Sequence, residues 1–382
     1  MKKVLFPRVR FKGFDDNWEQ GNIGEVFELT RGEVLSQRKI RNKKMGEYIY
    51  PVFSSQTLNN GLLGFYNNFL FKNSITWTTD GANAGTVLYR DGLFYATNVC
   101  GVMLQKTSIK PSSYFAHEIN VKVKKHVIKA GNPKLMINVL HEVLINFSKN
   151  KLEQEKISIL IENIDNLISL EEIKLNKLKQ LKETLLQKMF PEGNSKTPRI
   201  RFKGFEGEWK EEKLDDIFKV ITGGEPPKNY KNSKHPVGKY KYPIYSNGQE
   251  ANAIWGFSDN YSINTEAITI SSIGTIGFPV VRKMFFTPII RLKTLLPYNK
   301  NMNINFLNLS VSQINFSFNQ AGIPSMNSNQ LKDNIILISR NFSEQQKIGD
   351  FFSKIDTLIN FYNSKLNKLK QIKEALLQKM FV

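Results

Sequence analysis

Few residues of this 382-residue chain have the types and spacing that catalysis requires. Gly238-Lys239 is followed by Tyr240 and lacks the upstream glycine of a phosphate-binding loop. Glu172-Ile-Lys174 has the spacing of part of a nuclease carboxylate–lysine motif, but it falls within a helical stripe, where a solvated charge pair is the simpler interpretation. No Gly-rich turn fits a nucleotide or a methyl donor. We therefore expect no catalytic residues and no cofactor in this chain.

Metal and thiol chemistry have equally little support. The single cysteine, Cys100, excludes an internal disulfide framework, and its apolar surroundings indicate a small buried residue. The histidines lack the spacing of metal ligands and are interpreted as ordinary surface or core residues. They are His117, His126, His141 and His235. We expect no metal site.

The overall charge points to a polyanionic partner. Lys and Arg outnumber Asp and Glu by 54 to 34, which gives a net charge of +20. Such an excess attracts nucleic acid, although a Lys-rich solvated surface would give the same total. No apolar run reaches the roughly 18 residues of a membrane helix, and the start is not a convincing signal peptide. We expect a cytoplasmic protein.

The chain consists of two tandem copies of one repeat unit. Arg8-Val-Arg-Phe-Lys-Gly-Phe14, with Trp18, returns at an offset of 191 residues as Arg199-Ile-Arg-Phe-Lys-Gly-Phe205, with Trp209. Residues 153–191 and 344–382 share 23 of 39 positions. Between about residue 25 and residue 125 the copies share only scattered positions. A protein that reads two different DNA half-sites with one shared scaffold would have similar ends and divergent middles in its two copies.

Two long helices are predicted. Apolar residues recur at three-four spacing from Glu153 to Met189, and the second copy repeats this pattern from Ile348 to Met380. Ser343 is a plausible N-cap of the second helix. Each apolar stripe must pack against another surface, and the equivalent helix of the other copy is the obvious partner. We therefore expect an antiparallel helix pair with a pseudo-two-fold axis. Two separate helices, each packed on its own domain, are the alternative.

The predicted fold is α+β, with two tandem mixed α/β domains that are each followed by a long helix. The domains span 1–150 and 192–343, and the helices span 151–191 and 344–382. The helices carry net charges of zero and +3, so most of the positive charge lies in the globular domains. The residues expected in helix pairing and partner docking are Ile157, Ile164, Leu167, Leu175, Leu178, Leu185, Ile348, Ile355, Leu358, Leu366, Leu369 and Leu376.

Loops that combine basic residues with Asn, Gln, Ser and Thr are the candidate DNA-facing segments, because these side chains suit phosphates and base edges. For any single residue a solvated loop is the competing interpretation. In the first domain the candidates are Arg31, Gln37, Arg38, Lys39, Arg41, Asn42, Lys43, Lys44, Ser55, Gln56, Asn59, Asn60, Thr78, Thr79 and Asn83. In the second domain they are Thr222, Gly223, Gly224, Lys228, Asn229, Lys231, Ser246, Asn247, Gln249, Ser271, Ser272 and Thr275.

Taken together, the sequence resembles the specificity subunits of type I restriction–modification systems. The duplicated Arg-x-Arg-Phe-Lys-Gly-Phe motif, the Glu153-Gln-x-Lys-Ile157 segment with its copy, and the two Lys-Leu-x-Lys-Leu-Lys-Gln helices carry the resemblance. Thr222-Gly-Gly-x-Pro226 is similar to a turn that opens target recognition domains in that family, although Glu225 replaces the usual Thr. The resemblance covers essentially the whole chain.

The resemblance implies a non-catalytic subunit in which each domain reads one half of a split, asymmetric double-stranded DNA target. The helices would set the unread spacer and dock two methyltransferase (M) subunits, and restriction (R) subunits would join them. S-adenosylmethionine would belong to the M subunits, and ATP and Mg to the R subunits. The rival interpretations are a basic coiled-coil scaffold without sequence-specific recognition and a nuclease with a degenerate centre.

Overall fold

The computed structural model describes residues 6–55, 58–248, 253–299, 301–320 and 322–381, with the backbone alone at 58 and 59. The predicted DNA contacts Gln56 and Gln249 lie outside the described residues. The chain divides into two compact units, residues 1–172 with 365–382, and residues 173–364. The predicted boundaries kept each long helix whole, whereas the compact units divide each helix near its middle.

The first unit contains eight strands, three short α-helices and parts of two long helices within its described residues. Its strands are β1 (Glu19–Asn22), β2 (Phe27–Arg31), β3 (Tyr50–Phe53), β4 (Leu62–Tyr66), β5 (Phe71–Thr78), β6 (Val87–Ala96), β7 (Cys100–Gln105) and β8 (Leu144–Phe147). Its helices are α1 (Ile23–Val26), α2 (Ser113–Val123), α3 (Ile137–His141), the first part of α4 (Lys151–Met189) and, from residue 365, the second part of the C-terminal long helix.

A six-stranded sheet in the order β2-β7-β5-β6-β3-β4 organises this unit. Only the β3–β6 contact is parallel among these pairings. Residues 74–78 of β5 are buried on both faces, as expected for a central strand. Strands β1 and β8 form a separate antiparallel pair beside the start of α4.

The second unit has a similar element order, with two additional two-residue strands and with shorter counterparts of β5, β6 and β7. Its strands are β9 (Lys210–Lys213), β10 (Phe218–Thr222), β11 (Tyr230–Lys231), β12 (Tyr242–Tyr245), β13 (Ile254–Ser258), β14 (Ala267–Ile270), β15 (Pro279–Arg282), β16 (Thr287–Pro288), β17 (Lys293–Pro297) and β18 (Ile335–Ile338). Its helices are the second part of α4, α5 (Leu214–Ile217), α6 (Ile304–Val311), α7 (Ser328–Lys332) and the first part of α8 (Phe342–Met380).

Here the strands form two four-stranded sheets, β10-β17-β14-β15 and β11-β13-β12-β16, and the pair β18-β9. The parallel contact between β12 and β16 corresponds to that between β3 and β6. The α+β fold class is therefore as predicted. The division of one large sheet into two smaller ones is a difference that the sequence did not indicate.

Asparagine side chains cap the two long helices. Asn150 Oδ1 accepts hydrogen bonds from the amides of Leu152 and Glu153. Asn341 Oδ1 does the same for Ser343 and Glu344. The predicted cap at Ser343 is therefore wrong, because that residue already lies inside α8 and donates its amide to the cap.

Within each unit a stretch of α4 pairs antiparallel with a stretch of α8. In the first unit Lys373 binds Asp165 at 2.5 Å and Lys365 binds Glu171 at 2.9 Å, so residue numbers fall along α8 as they rise along α4. In the second unit Lys182 binds Asp356. The Asp165–Lys373 and Lys182–Asp356 pairs occupy equivalent positions in the two copies of the repeat, so the two units share this internal helix pairing.

The ends of the long helices complete the domain cores. In the first unit Phe381 packs on Trp18 and Tyr114, with ring centroids 6.3 and 5.5 Å apart. In the second unit Phe190 packs on Trp209 at 5.4 Å and on Phe306. These aromatic rings are buried, so the residues after each helical stripe belong to the cores rather than to a linker.

Candidate nucleic-acid interface

A buried ion pair joins the start of each domain to its long helix. Arg10 donates from Nε and Nη2 to the two carboxylate oxygens of Glu153, at 2.6 and 2.9 Å. Glu153 is fully buried and also accepts from the indole of Trp18. Arg201 and Glu344 form the same bidentate pair at 2.5 and 2.8 Å. The repeated Arg-Phe-Lys-Gly-Phe motif is thus a structural clamp, which explains why it is constant.

The basic segment from Arg31 to Lys44 lies on the surface of the first domain. Its eight predicted DNA contacts, from Arg31 to Lys44, are all exposed. Arg41 stacks over the ring of Tyr48 and Lys44 lies over Phe65, so aromatic side chains hold two of the cations without neutralising them. Their contact with DNA stays a prediction, and the structure leaves these side chains available for it.

The remaining candidates of the first domain have different environments. Ser55 and Asn83 are half-buried, Asn60 is exposed, and Thr78 is buried. Thr79 is 1% exposed, and its hydroxyl binds the carboxylate of Asp80 and the carbonyl of Val99. The prediction of a DNA contact at Thr79 is therefore wrong, because the side chain is already satisfied inside the domain.

In the second domain the segment after β10 is exposed at most of the predicted positions. Thr222, Gly224, Lys228, Asn229 and Lys231 lie at the surface. The Thr222 hydroxyl is also bonded to Ser328 and accepts from Lys293.

The other candidates of the second domain are half-buried or buried. Ser246 and Thr275 are half-buried.

Three predicted contacts of the second domain are buried, and a fourth is held by side-chain hydrogen bonds. Gly223 is buried, and a Cβ there would lie 2.7 Å from the backbone of Ile289 and Pro288. Asn247 is bonded through its side chain to the amide of Ser272 and the carbonyl of Ile290. Ser271 and Ser272 are 2% and 1% exposed. Gly223, Ser271 and Ser272 therefore shape the loops from inside the domain, whereas the half-buried Asn247 stays a predicted DNA contact.

Sequence reasoning missed one charged residue in each domain. Arg90 on β6 is 8% exposed, its Nε donates to Thr76 Oγ1 at 3.0 Å, and its guanidinium lies 3.7 Å from the centre of the Phe53 ring. In the second domain Arg282 donates to Thr269 at 3.0 Å and lies 4.0 Å from the Tyr245 ring. The recurrence of Arg at an offset of 192 residues, within otherwise divergent segments, was the signal available.

Most residues of the predicted helical stripe are covered. Ile157, Ile164, Leu175, Ile348, Ile355 and Leu366 are buried, and Leu178, Leu185, Leu369 and Leu376 are half-buried. Leu167 and Leu358 are each 47% exposed, so they are not covered by the helix pairing, and their predicted part in partner docking stays a prediction. They face away from the packed side of their helices.

These two residues are among six exposed apolar residues of the long helices that occupy equivalent positions in the two units. In the first unit they are Leu167 and Leu170 of α4 and Ile372 of α8, which the Asp165–Lys373 pair brings to the same level. In the second unit the corresponding residues are Leu358, Phe361 and Leu181. All six side chains are between 41% and 59% exposed, and we call these two sets the helical patches.

No helix in the described part of the chain is long and apolar enough to span a membrane. The duplicated α+β domains, basic exposed loops and paired helices define a two-domain DNA-recognition protein. Residues 15–180 and 206–371 each match the model of the type I restriction modification DNA specificity domain. The chain belongs to this family.

Relatives with this domain are similar over much of the chain. A putative type I specificity subunit of Mycoplasma pneumoniae is 32% identical over 331 residues, which is 86% of each protein. Another from the same organism is 28% identical over 251 residues, which cover 63% of this chain and 72% of the relative.

Solved structures share the fold. The S subunit of a type I restriction–modification system from M. genitalium covers 99% of both chains with a TM-score of 0.73 at 19% identity. A chain from a structural study of complex assembly and conformational transition of the type I system has a TM-score of 0.52 at 14% identity, over 97% of this chain and 98% of that one.

Proposed function

We propose that this chain is the DNA-recognition subunit of a type I restriction–modification complex and that each domain reads one half of a bipartite, asymmetric target. The observation that carries this proposal is the contrast between two equivalent ion pairs and two dissimilar loops. The Arg10–Glu153 and Arg201–Glu344 clamps are the same in both units. The exposed segments that follow β2 and β10 differ in sequence and charge spacing.

The charge of these segments suits the phosphate backbone. Residues 31–44 carry six basic side chains and one carboxylate, and the equivalent segment after β10 is also Lys-rich. Exposed basic side chains bind phosphates without regard to sequence, while neighbouring amides and hydroxyls contact base edges. Two domains with different loops would therefore have similar non-specific affinity and different base preferences.

The paired helices would set the unread spacer between the halves, as dimer spacing does for other DNA-binding proteins. We further propose that the two helical patches each dock one M subunit. Exposed apolar side chains at equivalent positions favour a partner that binds twice, because the same surface is offered in both copies. R subunits would join through this assembly.

The chemistry would belong to the partners. The M subunits would use S-adenosylmethionine to methylate adenine, and the R subunits would use ATP and Mg. This chain would select the DNA and position the partners, and it would have no catalytic residue of its own.

A selection experiment tests the proposal directly. The complex of this chain with its M subunits is incubated with random double-stranded DNA, and the bound fraction is sequenced. We expect one motif with two defined halves around an unread spacer of fixed length. Enrichment without any motif would contradict sequence-specific recognition and would favour the basic scaffold.

A further inference from the structure

The first domain contains a polar recess with a buried arginine at its base. The recess has a volume of about 110 Å³ and lies among β5, β6 and the loops that follow β3 and β5. Arg90, Thr76 and Thr78 are buried in its lining. Asn60 and Thr86 are exposed and form part of its rim. The recess therefore has hydrogen-bonding groups at its opening and a cation at its base.

The guanidinium of Arg90 is fixed in place by neutral groups. Nε donates to Thr76, Nη2 donates to the carbonyl of Asn60 at 2.7 Å, and the ring of Phe53 lies against its face. Among the described residues no carboxylate pairs with Arg90. Burial lowers its pKa to about 10, so the group is still protonated at neutral pH.

A buried cation without a counter-charge is costly to the folded protein, and an anion that enters the recess removes that cost. We propose that the recess binds one backbone phosphate of the DNA, with the Arg90 guanidinium as its principal donor. This inference rests on the proposed DNA-recognition function and assigns one contact within it.

The shape and chemistry of the recess favour a phosphate over a base edge. Its small volume of about 110 Å³ suits a compact oxyanion. Donors surround it on several sides, from the guanidinium at the base to the Asn83 amide and the Thr86 hydroxyl. A tetrahedral phosphate accepts from several directions, whereas a base edge presents its acceptors in one plane.

The second domain supplies a matched comparison. Arg282 has the same aromatic and threonine contacts as Arg90, but Asn247 there ties the loop after β12 to Ser272 and Ile290. Substitution of Arg282 removes an equivalent buried cation from the other domain. It should therefore leave the phosphate contact of the first half-site unchanged.

The test uses the complex with its M subunits and a duplex that carries the selected motif. Each phosphate of the first half-site is replaced in turn by a neutral methylphosphonate, and affinity is measured for the wild type and for Arg90→Met. We expect one position at which the wild type loses about tenfold and Arg90→Met loses nothing further. The salt dependence of log K should fall by about one unit of slope in Arg90→Met.

Further variants keep the test interpretable. Arg282→Met should retain the methylphosphonate effect, and Thr86→Val, which alters only the exposed rim, should reduce it several-fold if Arg90→Met does not fold. A changed base preference in Arg90→Met would overturn the phosphate assignment in favour of base readout. A full methylphosphonate effect in both Arg90→Met and Thr86→Val would overturn the site. Absence of sequence-specific binding in the wild-type complex would instead count against the proposed function.

Discussion

Two buried carboxylates of the first domain differ in how their charge is compensated. Glu153 is paired with Arg10 and the Trp18 indole. Glu118 accepts from the amide of Asn146 through Oε1, and the nearest cation, Lys122, is 3.8 Å away. Burial raises the pKa of Glu118 to about 7. The Glu153 carboxylate therefore stabilises the folded domain, whereas the Glu118 carboxylate destabilises it when ionised.

Glu118→Gln should stabilise the protein in a pH-dependent way. The pKa of Glu118 is raised from 4.5 to about 7, so its contribution to stability is present below pH 4.5 and is lost as the pH rises through 7. Gln mimics the protonated form. We expect Glu118→Gln to match the wild type near pH 4.5 and to exceed it by up to about 3 kcal/mol at pH 8.

Thermal unfolding at the two pH values measures this difference. The exposed Glu47→Gln is the matched control and should change the melting temperature equally little at both. A Glu118→Gln effect that is the same at pH 4.5 and pH 8 would contradict the account.

For single residues, the sequence indicated which side chains could contact DNA better than it indicated whether those side chains are exposed. Thr79, Ser271 and Ser272 have side chains that suit DNA, yet all three are buried. Arg90 went unnoticed because a charged residue on a strand is normally exposed. Burial of a polar side chain depends on which strands become neighbours, and local patterns do not contain that information.

At the scale of elements, helical periodicity predicted both long helices to within about two residues of their observed ends. Helical periodicity could not show which surface packs against each part of the apolar stripe. Ile157 and Ile348 pack into domain cores, whereas Leu167 and Leu358 remain half-exposed. The same three-four spacing serves core packing and an open surface, so the pattern alone does not separate them.

The helical patches should each bind one M subunit. Leu170→Asp changes the patch of the first unit and Phe361→Asp changes that of the second, and both side chains are more than half exposed, so folding should be unaffected. We expect each variant to bind one M subunit and the double variant to bind none, because a charge in a desolvated interface is costly.

Native mass spectrometry of the purified complexes gives this stoichiometry. Lys177→Glu, a change at an exposed charged position of α4, is the control and should bind two. Two bound M subunits in the double variant would mean that docking occurs elsewhere.

For the whole molecule, the repeat predicted two similar domains, and the structure has them. It did not predict that the first domain has one six-stranded sheet while the second has two four-stranded sheets. Strand order follows from long-range pairing in the divergent segments. Local β propensity is nevertheless visible in the sequence, since the β-type run from Leu70 to Trp77 contains most of β5 and the run from Ala267 to Ser271 contains β14.

Each domain should read its half of the target independently of the other. The most direct test replaces residues 210–320 with the equivalent segment of a relative and maps methylated adenines across a genome that expresses the chain with its M subunits. We predict that the wild type gives one split motif and that the exchange alters one half while the other half and the spacer length are retained. Changes in both halves, or methylation that does not depend on this chain, would contradict the account.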